Sequence, residues 1–162
     1  MQKIIAFSLT IIEILSLGIP KTLAAPESRK FIVTAYYSPL RDQSFYLRGS
    51  YEADIALNGN GTHGASGKEV YPGMLAAPKT YAFGTKIYLG GIGLATVDDR
   101  GGAIVGSGSR GYDADRLDMW MGIGEEGLRR ALTWGKRSVM GKIVSDDEVD
   151  NYDAIALEQF HA

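Results

Sequence analysis

Five aspartates lie close together in the middle of the chain, and they are the side chains best suited to chemistry. They are Asp98 and Asp99 in the segment VDDRGGAI, and Asp113, Asp115 and Asp118 in the segment YDADRLDMW. Carboxyl groups transfer protons and hold cations. The sequence therefore predicts an acidic site built from this region.

Asp118 stands inside an apolar run, after Leu117 and before Met119 and Trp120. A carboxyl group among apolar neighbours is poorly hydrated in its charged form, so its pKa rises and it holds its proton at higher pH. A protonated carboxyl group can donate to a glycosidic oxygen as the bond breaks. Asp118 is therefore the candidate general acid.

Asp99 ends an apolar, strand-like run and is followed by Arg100, Gly101 and Gly102. Glycines allow the backbone to approach a ligand closely because no side chain intervenes. This segment is the candidate wall of a binding cleft.

Other interpretations of these residues stay open. Aspartates beside glycines often form turns or cap strand ends without any catalytic role. The segment DADRLD suggests calcium, but it lacks the glycine and the distal glutamate of an EF-hand loop. The chain has no cysteine, and its two histidines, His63 and His161, lie far apart in the sequence. We therefore expect no metal site and no cofactor.

The elements that must position these residues are mostly strands. Short runs rich in β-branched and aromatic residues follow one another with glycines between them, which favours a barrel or a sandwich. The runs are KFIVTAYYSP, EVYPGMLAA, GTKIYLG, GLATVDD and SVMGKIV. The polar segment 40–68 is predicted to be a long loop or an irregular hairpin. One main helix is predicted near Gly124 to Gly135, with two glutamates at its start and a glycine at its end.

The first 25 residues have the pattern of a secretory signal peptide. Lys3 precedes an apolar stretch, Ile4 to Ile19, and small residues follow at Ala24 and Ala25. We expect cleavage there, no stable membrane span afterwards, and a secreted or periplasmic protein of the cell envelope. Residues 26–30 are predicted to be a linker, 31–144 one domain, and 145–162 an acidic tail that docks as a helix or frays.

Composition excludes one class of partner. The formal net charge is -2 over 162 residues, whereas nucleic-acid binding normally needs a clustered basic surface. We therefore expect no nucleic-acid partner.

Three segments together resemble the three-aspartate domain, a module shared with the membrane-bound lytic transglycosylase A family. They are TAYYSP, GMLAAPKTYAFGTKIYLGGIGLATVDDRGGAI and RLDMWMGIGEEGLRRALTWGKR. The resemblance runs from about Phe31 to Val144 and implies a six-stranded double-psi β-barrel with one main short α-helix. It implies a protein that binds the peptidoglycan glycan strand and cleaves the β-1,4 bond between N-acetylmuramic acid and N-acetylglucosamine, leaving a 1,6-anhydro product. We expect this protein to be a monomer.

By motif, the resemblance assigns the catalytic role to Asp118 and a supporting role to Asp99. We expect further substrate contacts from Tyr37, Thr85, Arg100, Gly101, Gly102, Asp115 and Trp120. The chain departs from the family pattern in two places: Ala77 stands where the family has its first aspartate, and the loop VGSGSRGYDADR is longer than its counterpart.

A non-catalytic wall-binding module resembling expansins is the alternative function, because expansins share the double-psi barrel. An enzyme requires Asp118 at the floor of a cleft. A binding module would instead present flat aromatic side chains such as Tyr36, Tyr37 or Trp120.

Overall fold

A computed structural model describes residues 27–59 and 61–160. In this part the chain forms a closed barrel of six strands with two α-helices and two short 3-10 helices. The strands are β1 (Arg29–Ser38), β2 (Met74–Ala76), β3 (Lys86–Leu89), β4 (Gly93–Asp99), β5 (Asp115–Ile123) and β6 (Arg137–Val144). The helices are α1 (Tyr51–Asn58) and α2 (Gly124–Trp134), and the 3-10 helices are Asp146–Asn151 and Leu157–Gln159. The prediction of a mainly β fold with a six-stranded barrel is confirmed.

The barrel closes in the order β1-β5-β2-β4-β3-β6. Two pairs are parallel, β1 with β5 and β2 with β4, and the other pairs are antiparallel. Strand β5 was not among the strand-like runs of the sequence, although it contains the apolar run around Asp118. Both parallel pairs join strands distant in sequence, so the barrel depends on non-local pairing.

Side chains on β5 alternate between the core and the outer face of the barrel. Leu117, Met119 and Met121 are fully buried in the main core. Asp118 and Trp120 point to the other face, because successive side chains of a strand lie on opposite sides. The alternation that buries the methionines therefore turns Asp118 away from the core.

Helix α2 confirms the predicted helix, with Gly135 at its C-cap and a φ of 63° that favours glycine. Helix α1 was not predicted, because segment 40–68 was expected to be a loop or hairpin. At the start of α1, the Ser50 side chain accepts a hydrogen bond from the N–H of Ala53. The only buried residue of α1 is Asp54, whereas Leu57 is half exposed. An inverted pattern of this kind carries no apolar stripe that could indicate a helix.

The C-terminal segment packs on the barrel. Ile155 is buried in the main core, and the ring of Tyr152 stacks on Tyr88 with centroids 4.5 Å apart. Ala154 forms a bridge to Leu94 of β4. The docked segment contains the two 3-10 helices, where its sequence had suggested a docking helix or a frayed end. The predicted signal peptide, residues 1–25, lies outside the described residues, and none of the helices described is long and apolar enough to cross a membrane.

Candidate functional site

The site begins at the short strand β2, which joins the two candidate acidic residues. Ala76 pairs with Asp118 of β5 on one side and with Asp99 of β4 on the other. Neighbouring strands lie about 4.8 Å apart, so the two aspartate Cα atoms are separated by roughly 10 Å. The barrel therefore brings together two acids that lie 19 positions apart in the sequence.

A β-bulge places Asp99 on this face. Leu75 pairs with Val97, but the next residue, Ala76, pairs with Asp99, so β4 carries one extra residue, Asp98. An extra residue reverses the alternation beyond it. Asp99 lies two positions after the buried Val97 and would, without the bulge, face the core as Val97 does. With the bulge, Asp99 faces the same cleft as Asp118.

The cleft has a volume of about 250 Å³ and both acids lie in its wall. Its other lining residues are Tyr36, Leu57, Asn58, Gly59, His63, Ala76, Arg100, Gly101 and Gly102. Of the site residues expected from the sequence, the cleft thus unites Asp99, Asp118, Arg100, Gly101 and Gly102. A methyl group added at Gly102 would meet no atom within 4 Å, so the backbone there is open to a ligand.

The environment of Asp118 raises its pKa from 3.8 to about 6. Burial is the largest cause, and the negative charge of Asp99 adds to it; the hydrogen bond from Thr34 and the positive charge of Arg116 act in the opposite direction. The group therefore carries its proton at mildly acidic pH and can also act as a carboxylate near neutrality. This is the property required of a single acid and base.

Thr34 of β1 orients the Asp118 carboxyl group. Its hydroxyl donates to Asp118 Oδ1 at 2.7 Å and receives a hydrogen bond from the Arg116 guanidinium at 3.2 Å. Because Arg116 supplies a proton to the hydroxyl oxygen, the threonine's own hydrogen is free to point at Asp118. Sequence reasoning missed Thr34, since only the parallel register of β1 and β5 pairs it with Asp118.

Asp99 is fixed by backbone groups. Its Oδ1 atom accepts hydrogen bonds from the N–H of Ala65 at 2.8 Å and of Arg100 at 2.7 Å. These two hydrogen bonds hold the Asp99 side chain in one position. Asp99 is therefore suited to stabilising positive charge that develops in the cleft.

The loop that brings His63 to the cleft is anchored by Asp98. This buried carboxylate accepts hydrogen bonds from Lys68 Nζ at 2.9 Å and the Tyr71 hydroxyl at 2.5 Å. Burial alone would raise the pKa of Asp98, but these hydrogen bonds outweigh it and hold the pKa below its usual range. Gly64 lies so close to β4 that a Cβ atom would stand 2.5 Å from the Asp98 carbonyl oxygen. His63 forms a β-bridge with Glu69; its side chain is exposed and lines the cleft.

Tyr36 forms part of the cleft wall, whereas the substrate contact was expected from its neighbour Tyr37. The Tyr36 hydroxyl is buried without a hydrogen-bond partner among the described residues. Its pKa is strongly raised, first by burial and then by the negative charge of Asp99. The phenol therefore stays protonated at any physiological pH.

Four of the expected contact residues lie outside this cleft. Tyr37 is 1% exposed and its hydroxyl donates a hydrogen bond to the buried carboxylate of Asp54. Trp120 is 4% exposed and its indole N–H donates to Ser38 Oγ at 2.8 Å. Adjacent residues on a strand face opposite sides, so Tyr36 and Tyr37 cannot share one surface.

The other two residues, Thr85 and Asp115, also form hydrogen bonds with other residues of the protein. The Thr85 hydroxyl donates to the carbonyl of Ala82 at 2.8 Å. Asp115 accepts hydrogen bonds from the Tyr81 hydroxyl and from the N–H of Ser107, the latter at 2.8 Å. Both side chains therefore stabilise local structure.

Ala77, which stands at the family's first aspartate, lies in the main core and is 1% exposed. It is the preceding residue, Ala76, that faces the cleft between the two acids. A carboxylate at position 77 would be buried among apolar side chains.

Within residues 27–59 and 61–160, no group of three or more histidine, aspartate or glutamate side chains is arranged to hold a metal ion. No protein-family model, curated protein or solved structure matches this chain.

Proposed function

We propose that the protein is an exported, monomeric lytic transglycosylase of the cell envelope, with a barrel of the double-psi type. It cleaves the β-1,4 bond between N-acetylmuramic acid and N-acetylglucosamine in peptidoglycan and leaves 1,6-anhydro-muropeptides. The observation that carries the proposal is Asp118, a carboxyl group of pKa about 6 in the wall of the cleft, held by Thr34. The two parallel strand pairs within a closed six-stranded barrel support the double-psi assignment.

In the proposed reaction, protonated Asp118 donates its proton to the bridging oxygen, and the bond from that oxygen to C1 breaks. Asp118, now a carboxylate, accepts the proton of the C6 hydroxyl as the C6 oxygen bonds to C1. Asp118 thus loses one proton and regains one in each turnover, and no water is consumed. A group whose pKa lies near 6 suits both steps, because its proton is neither held nor released too strongly.

Asp99 has a different task in this proposal. Its carboxylate is held by two backbone N–H groups and faces the same cleft. Cleavage develops positive charge on the sugar ring, and a fixed negative charge nearby stabilises it without reorganisation. Asp99 thus supports the transition state and transfers no proton.

The burial of the candidate platform residues favours an enzyme over the expansin-like wall-binding module. Tyr36, Tyr37 and Trp120 are all buried, so none of them offers a flat exposed ring. Asp118, in contrast, opens into the cleft. That combination is the one an enzyme requires.

The test digests purified peptidoglycan with the unmutated protein, Asp118→Asn and Asp99→Asn, and measures anhydro-muropeptides by mass spectrometry. Asp118→Asn should lower turnover at least about a hundredfold and leave pull-down on insoluble peptidoglycan unchanged. Asp99→Asn should cost less, or should also weaken binding. Full activity in Asp118→Asn would refute the assignment. Binding without any cleavage by the unmutated protein would favour the wall-binding module.

A further inference from the structure

Phe83 is an exposed aromatic side chain at the edge of the candidate site. It is 45% exposed, and among the described residues the only other aromatic that is similarly exposed is Phe45, at 44%. The guanidinium carbon of Arg100 lies 4.1 Å from the centroid of the Phe83 ring. Arg100 also lines the cleft, so one side chain connects the Phe83 ring to the space that contains Asp99 and Asp118.

The support beneath this ring is rigid. Arg100 Nη2 donates to the Tyr81 carbonyl at 2.6 Å, and Nη1 donates to the carbonyls of Asp99 at 2.9 Å and Ala77 at 3.4 Å. A guanidinium held by three carbonyls cannot rotate freely, and its cation attracts the face of the ring. The guanidinium therefore forms a fixed support against the Phe83 ring, which is itself 45% exposed.

An exposed ring has little reason to be held in this way for stability alone, because its apolar surface stays in water. A pyranose ring, however, has an apolar face of C–H groups that complements an aromatic face, and stacking of flat groups on aromatic side chains is a general binding mode. The aromatic residues first expected to provide such a surface are buried.

We propose that Phe83, supported by Arg100, is a sugar-stacking subsite that binds a pyranose ring of the glycan outside the bond being cleaved. The occupant follows from the proposed function, on which this inference rests. The subsite contributes affinity and register along the strand. It takes no part in proton transfer, because the ring has no titratable group.

The experiment measures binding to insoluble peptidoglycan in the Asp118→Asn background, so that the glycan is not consumed. Phe83→Ala should weaken binding about tenfold, equivalent to the loss of one aromatic contact. Phe83→Leu, which keeps apolar volume over Arg100 without a flat ring, should weaken it similarly. Phe83→Trp should restore it. Phe45→Ala is the matched control and should bind like the parent protein.

Several outcomes separate this inference from the proposed function. Unchanged binding in both Phe83→Ala and Phe83→Leu would overturn the subsite, even where anhydro products are still released by the active protein. A binding difference between the Phe83 and Phe45 variants, found in a protein that releases no anhydro product, would support the subsite and refute the transglycosylase. Equal weakening by Phe83→Ala and Phe45→Ala would also overturn it, because the effect would then be unspecific.

Discussion

Replacing Asp118 by asparagine is expected to stabilise the fold at neutral pH and to have no such effect at pH 4. Burial raises the pKa of Asp118 from 3.8 to about 6, so the folded protein binds a proton that the unfolded chain has already released. The free energy of unfolding therefore falls as the pH rises from about 4 to about 6, and it stays lower above that range. Asparagine removes the ionisation and keeps an oxygen that can accept the hydrogen bond from Thr34.

The magnitude follows from the shift. A rise of about 2 pK units corresponds to about 3 kcal/mol at 1.36 kcal/mol per unit. Asp118 is partly exposed to the cleft, where solvent screens its charge, so about 1 to 3 kcal/mol is the expected gain. A gain of that size should raise Tm by about 5 °C in a domain of this length.

Urea denaturation of both proteins between pH 4 and pH 8 measures this effect. The difference in the free energy of unfolding should be near zero at pH 4, rise between pH 4 and 6, and be constant at pH 7 to 8. Asp113→Asn is the control, because Asp113 is exposed and Lys30 lowers its pKa. The change in the free energy of unfolding caused by Asp113→Asn should therefore be small and opposite in sign. A difference that does not depend on pH, or that is largest at pH 4, would refute the account of Asp118.

Three further expectations follow from the same structure. The initial rate of anhydro-product release should fall about tenfold per pH unit above pH 6, because Asp118 must be protonated in the free enzyme. A rate that does not change between pH 6 and pH 8 would contradict this. Ile155→Ala should lower the free energy of unfolding by about 2 to 5 kcal/mol in urea titrations, because Ile155 is buried in the core; a loss below that range would show that the C-terminal segment does not dock. Gly64→Ala should lower it by about 1 to 3 kcal/mol, because its Cβ would meet the Asp98 carbonyl oxygen at 2.5 Å. Gly102→Ala, where nothing lies within 4 Å, should leave the free energy of unfolding unchanged.

Much of the local structure could be read from neighbouring residues. Alternating β-branched and aromatic residues indicated β1, and the acidic start and glycine end of α2 marked that helix. The apolar residues beside Asp118 indicated a desolvated carboxyl group, in agreement with its raised pKa. These features depend on residues one to four positions apart, and local propensity and periodicity report on that range.

The tertiary structure alone decided which side chains meet. Thr34 reaches Asp118 through a parallel pairing across 84 positions, and Asp99 reaches the cleft through a bulge at Asp98. The choice of Tyr36 over Tyr37 for the cleft wall depends on which face of β1 the closed barrel turns toward its core. Strand register, bulges and barrel closure arise from packing between distant segments, so a local pattern can place a residue on a strand but cannot name its partner across the sheet.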